Sequence, residues 1–195
     1  MDTIQFENIE KKLDEVLKSD MYAELIEKVK KAEQIYLIGN GGLHFVASHM
    51  ATDLSRLIPD KVVRTFDNIG FITSTSNDWG FENLFTRWLE LTAKVTSAPD
   101  KTLIVGLSCS GNSTNVINAM HWAHENNYEP FMITGQKSAA LDAKVAELVL
   151  NCEYFHTVEV LTMMVLYDVI HKTGNHCPSI GEEKDRLRLS SLRKT

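Results

Sequence analysis

Three serine hydroxyls fall within six residues, at Ser108, Ser110 and Ser113, in the run Gly106-Leu107-Ser108-Cys109-Ser110-Gly111-Asn112-Ser113. The run leaves a short apolar stretch and enters a segment with helical periodicity beginning near Thr114. Hydroxyls, a glycine and the unpaired N–H groups of a first helical turn therefore converge, and the helix dipole adds partial positive charge. That combination suits a phosphate dianion. A single serine is enough to cap a helix, so capping alone explains this composition poorly. A second loop, Gly39-Asn40-Gly41-Gly42, also follows an apolar run and precedes a helical pattern, and its glycines let backbone approach a ligand closely. Asp67, at the end of the next apolar run, invites a dinucleotide-binding reading. The third glycine of GxGxxG falls at His44, however, which breaks that fingerprint.

The elements that must hold these loops are legible in the spacing of apolar residues. Short continuous apolar runs at Ile35 to Ile38, Val62 to Phe66, Leu103 to Leu107, Phe131 to Ile133 and Leu148 to Leu150 read as strands buried on both faces. Between them lie segments of helical periodicity at Leu43 to Leu57, Phe81 to Val95, Asn115 to His124, Ala139 to Ala146 and Val158 to His171. Alternation of this kind predicts one α/β domain over residues 1–195, a doubly wound sandwich with a parallel sheet covered on both sides. Residues 1–31 add an amphipathic helical segment, expected at an oligomer interface. Residues 181–195 form a polar tail.

Composition removes several classes of function. A net charge of -6 argues against a nucleic-acid partner, because phosphate backbones are held by basic faces. No apolar stretch approaches the ~18 residues that cross a bilayer, and the N-terminus mixes charged and apolar residues unlike a signal peptide, so no membrane partner and a cytoplasmic location are expected. Cys109, Cys152 and Cys177 are odd in number and lack a CxxC pair, and they read as reduced thiols.

The GNGG loop with its helix (LIGNGGLHFVASHMATDL), the segment SNDWGFENLFTRW and the loop GLSCSGNSTNVINAM together resemble the phosphoheptose isomerase branch of the sugar isomerase (SIS) family, in consistent order over nearly the whole chain. The resemblance implies a three-layer, flavodoxin-like sandwich around a five-stranded parallel sheet, a homotetramer, and an aldose–ketose isomerase acting on sedoheptulose 7-phosphate in heptose synthesis for lipopolysaccharide or capsule. It also implies Ser108, Ser110 and Ser113 as phosphate ligands, with Cys109 in the same loop where the family has threonine. Asn40, Gly41 and Gly42 then lie near the sugar, and Asp78 holds a substrate hydroxyl. Leu43 replaces a serine of the family pattern.

Isomerisation between C1 and C2 passes through an enediol and needs a base. The resemblance places His49 at a family histidine and Asp53, four residues on, where the family has glutamate. Asp53 is the expected base, one methylene shorter than the family's residue. On the last long helix the family shows a glutamine and, eight residues later, a histidine; counting from Val158 reaches Leu166 and from Glu159 reaches Tyr167, neither a histidine. Glu159 is the alternative base, and His171 is the nearest histidine. No cofactor is demanded by the sequence. Zinc, which some family members bind, is implied only through His49 and Asp53, and two ligands are too few for a closed site. The competing reading is a non-catalytic SIS protein that keeps the phosphate loop as a binding, scaffold or regulatory module.

Overall fold

In the computed structural model, which describes residues 4, 6–96 and 98–181, five strands form one parallel sheet in the order β2-β1-β3-β4-β5. They are β1 (Gln34–Gly39), β2 (Val62–Thr65), β3 (Thr102–Ser108), β4 (Glu129–Thr134) and β5 (Ala146–Val149). β1 and β3 lie side by side, with Gln34 opposite Thr102 and Gly39 opposite Leu107, so the glycine and serine loops leave the sheet as neighbours. Chain order reverses between these two strands, and a crevice opens beyond their carboxyl ends, where doubly wound folds bind ligands.

The helices are α1 (Ile9–Leu17), α2 (Asp20–Lys31), α3 (Gly42–Leu57), α4 (Ile69–Trp79), α5 (Leu84–Thr96), α6 (Thr114–Glu125) and α7 (Phe155–Lys172). Continuous burial of β3 and near-continuous burial of β1 and β4 produce two apolar cores, one per face. Leu25, Val46, Met50, Leu103, Phe131, Leu161 and Val165 belong to the core beneath α1, α2, α3 and α7. Tyr36, Phe66, Phe85, Trp88, Met120 and Met132 fill the other, beneath α4, α5 and α6.

The five strands stand where the sequence predicts them, with β4 and β5 each beginning two residues earlier. Two helical expectations are corrected. Residues 139–146 are not helical, because side chains capture the backbone N–H groups that a helix would use: Asn112 Oδ1 accepts from Ala139, Ser138 Oγ from Leu141, His121 Nε2 from Asp142, and Asp142 Oδ1 from Lys144. Conversely α4 forms over a Thr- and Ser-rich stretch that shows little apolar period. Asn68 caps it by accepting from the Phe71 N–H at 2.9 Å. Most of the 181–195 tail lies outside the described residues.

The N-terminal helices turn their apolar face inward. Val16, Tyr22, Leu25, Ile26 and Val29 are buried in this chain's own core, so any interface role belongs to the outward side of α1 and α2. Ahead of α1, the Glu7 carboxylate accepts the N–H groups of Glu153 and Tyr154 and thereby caps the start of α7.

Candidate functional site

The serine loop sits where β3 hands over to α6. Ser113 occupies the N-cap position of α6, yet its hydroxyl makes no capping bond and lies 2.9 Å from Ser108 Oγ. The first helical bonds run from the Val116 and Ile117 N–H groups to the Ser113 carbonyl, which leaves the N–H groups of Thr114 and Asn115 ahead of them. Ser110 Oγ accepts from the Asn112 N–H at 3.2 Å and keeps its own proton to donate. Gly111 has φ 71°, and a β-carbon there would meet the Gln136 carbonyl oxygen at 2.5 Å, so the loop is pressed against the strand-end backbone of β4.

The glycine loop meets the serine loop through Asn40. Its amide and that of Asn115 exchange two hydrogen bonds, at 2.8 and 3.0 Å. A cleft of about 240 Å³ opens beside it, lined by Asn40, Gly41, His44, Phe45, Phe66 and Phe81 among others. His44 Nε2 faces Asp67 Oδ1 at 3.1 Å on its rim.

Glu159 rises from the second turn of α7 toward these loops. A β-carbon placed on Gly42 would lie 2.1 Å from Glu159 Oε1, so only glycine leaves room for the carboxylate at the start of α3. The same carboxylate is close enough to Cys109 that its charge, together with burial as the larger cause, pushes the thiol up to about 11. Serine loop, glycine loop and one carboxylate thus share a single mouth at the end of β1 and β3.

Asp53 is placed differently. Eleven residues along α3 from Gly42, at 1.5 Å per residue, it lies about 16 Å away down the helix axis. α7 runs alongside in the same direction, so that Tyr167 meets Asp53 just as Glu159 meets Gly42. The Tyr167 hydroxyl donates to Asp53 Oδ2 at 2.8 Å, and its oxygen lies 2.8 Å from His49 Nε2. A tyrosine has one proton, so His49 donates in that contact. Arg56 reaches the other carboxylate oxygen at 3.4 Å. Burial, then the bond to Asp53, raises the Tyr167 hydroxyl to about 12. Tyr167 is reachable from the sequence only through its eight-residue spacing from Glu159.

The remaining expected residues are dispersed. Asp78 stands exposed on the last turn of α4, accepting from Asn77 Nδ2 at 2.7 Å. His171 is exposed near the end of α7, its ring 6.3 Å from that of His176. Among the described residues, no group of three or more His, Cys, Asp or Glu side chains converges as a metal site. Within one subunit the pair His49 and Asp53 is occupied by the Tyr167 hydroxyl, so these residues do not fit zinc as they stand. The three cysteines are free.

No family model matches the chain. The phosphoheptose isomerase of Buchnera aphidicola subsp. Schizaphis graminum is 31% identical over 135 residues, which are 67% of this chain and 62% of that protein. That of Pelobacter propionicus is 30% identical over 132 residues, 64% of this chain and 66% of that protein. The chain therefore matches a little under two thirds of the length of these relatives. The solved phosphoheptose isomerase of Neisseria gonorrhoeae superposes with a TM-score of 0.73 at 19% identity, over 87% of this chain and 92% of that one. In sequence and in fold the chain is thus similar to the phosphoheptose isomerases of the sugar isomerase (SIS) family.

Proposed function

We propose that the protein is an aldose–ketose isomerase of a phosphorylated sugar, with sedoheptulose 7-phosphate as the substrate its relatives' name points to. The observation that carries this reading is the convergence of Ser108, Ser113 and the α6 N-terminus with the Glu159 carboxylate at one strand-end mouth. The phosphate is held by the hydroxyls of Ser108, Ser110 and Ser113 and the first N–H groups of α6. Asn40 and Gly41 line the sugar, Gly42 leaves room for the Glu159 carboxylate, and Asp78 is left to a distal hydroxyl.

Glu159 is the base of this proposal. It removes the proton from the carbon next to the carbonyl, the carbonyl oxygen takes up a proton, and an enediol forms. Return of the proton to the neighbouring carbon, with loss of the other hydroxyl proton, completes the exchange of aldehyde and ketone. No step runs through a metal. Asp53, His49 and Tyr167 enter only where a homo-oligomer, a tetramer in this proposal, brings the α3–α7 end of one subunit over the loops of another. Exposed Phe45, Ile69, Leu91 and Val95 supply apolar surface for such contacts. A cytoplasmic location belongs to the same proposal.

Incubation with sedoheptulose 7-phosphate in D₂O, followed by NMR, tests the reaction. Deuterium should appear at C1 or C2 as the isomer forms. Binding without exchange would favour the non-catalytic module instead.

A further inference from the structure

A nearly buried carboxylate in the first half of β5 has no part in the chemistry above. Glu147 has a side chain 7% exposed, and its nearest cation, Lys137, is 3.5 Å away on a side chain 81% exposed. Burying a carboxylate beside so weak a partner is costly, and the apolar neighbours of a strand end would avoid that cost. The sheet alone gives no reason for it. Its contacts do.

Glu147 Oε1 accepts twice, from the Thr134 hydroxyl at the end of β4, at 2.9 Å, and from the Ser138 N–H, at 2.7 Å. The Ser138 segment is the wall against which the serine loop rests. A β-carbon on Gly111 would meet the Gln136 carbonyl at 2.5 Å and the Ser138 nitrogen at 3.0 Å. One residue on, the Ala139 N–H donates to Asn112 Oδ1 at 3.0 Å. Asn112 in turn grips Ser110, donating its N–H to Ser110 Oγ at 3.2 Å and its amide to the Ser110 carbonyl at 2.9 Å. An unbroken line of contacts runs from the carboxylate to a phosphate-loop hydroxyl.

We propose that Glu147 is a positioning residue of the phosphate loop: by fixing Ser138 it sets the backbone that Gly111 and Asn112 lean on, and so aims the Ser110 hydroxyl at the phosphate. The proposal rests on the phosphate reading of that loop and extends it to a side chain on a different strand.

The test is phosphate affinity, with inorganic phosphate and sedoheptulose 7-phosphate measured calorimetrically on the full chain. Glu147→Ala should raise both dissociation constants roughly tenfold, about the worth of one well-aimed hydrogen bond. Both donors land on Oε1, so Glu147→Gln should restore nearly full affinity. Thr134→Val removes the other bond to the same oxygen and should lower stability while leaving affinity unchanged. In an Asn112→Ala background the line is already cut, and Glu147→Ala should add less than about twofold. If Glu147→Ala does not fold, Glu147→Asp, which withdraws the oxygen by one methylene, takes its place in each comparison. Equal affinity in wild type and Glu147→Ala, equal losses from Thr134→Val, or additive losses with Asn112→Ala would each overturn the proposal. Wild type that binds neither phosphate nor the sugar phosphate would overturn it together with the phosphate reading, whereas binding without isomerisation would leave the positioning role standing and remove only the enzymatic one.

Discussion

Gly42→Ala is the smallest change that should separate catalysis from binding. Its β-carbon would stand 2.1 Å from Glu159 Oε1, 2.3 Å from Cδ and 2.6 Å from Oε2. Ordinary contact between such atoms begins near ~3.4 Å, so the nearest oxygen must retreat by about 3.4 − 2.1 = 1.3 Å. The obstacle is the tip of a flexible side chain, and Gly42 begins α3 without the positive φ of Gly41. The helix should therefore accept alanine and gain up to about 0.5–1 kcal/mol from reduced backbone freedom in the unfolded chain. A base moved by about 1 Å, in contrast, loses on the order of a hundredfold in rate. Steady-state kinetics with sedoheptulose 7-phosphate should show kcat down about 10²-fold, little change in sugar-phosphate affinity, and a melting temperature equal to or above wild type. Wild-type turnover in a folded Gly42→Ala would refute the placement of the base.

Three further outcomes follow from the same geometry. Ser110→Ala combined with Ser113→Ala should weaken sugar-phosphate binding by about 1.5–3 kcal/mol per lost charge-assisted bond without unfolding the chain, as calorimetry and circular dichroism would show. With its thiol pushed up to about 11, by burial first and the Glu159 charge second, Cys109 should be about one-thousandth thiolate at pH 8 and alkylate slowly; Glu159→Gln should speed the reaction, as peptide mass spectrometry would show. Tyr167, raised from 10.0 to about 12 by burial and then by Asp53, stabilises the fold fully below about pH 10 and loses that contribution as pH rises from 10 through 12. Tyr167→Phe should accordingly flatten the alkaline limb of the stability–pH curve.

Much of this architecture is legible in the chain because burial on both faces forces unbroken apolar runs on β1, β3 and β4, and because Gly39–Gly42 and Ser108–Ser113 directly follow two of them. Local pattern fails where side chains replace the helical ladder. Asn112, His121, Ser138 and Asp142 hold residues 139–145 in turns although Ala and Leu repeat there, and the long-range partners among them are invisible to a local window. The carboxylates fail for a related reason. Asp53 follows His49 by one helical turn and reads as half of a pair, but the depth of each residue along α3 and α7 decides which one meets the loops. Glu159 meets them in its second turn, whereas Asp53 lies three turns below. The part played by Tyr167 depends on the register between two helices more than a hundred residues apart, and sequence spacing on one helix does not supply it.

Solvent exchange compared between wild type and Glu159→Gln bears most directly on the central claim, that Glu159 serves an isomerase whose phosphate end is held by the serine loop. The wild type should incorporate deuterium at C1 or C2 of sedoheptulose 7-phosphate, and Glu159→Gln should lower that rate by about 10²–10⁴-fold at nearly unchanged sugar-phosphate affinity. Exchange by Glu159→Gln at the wild-type rate would contradict the account.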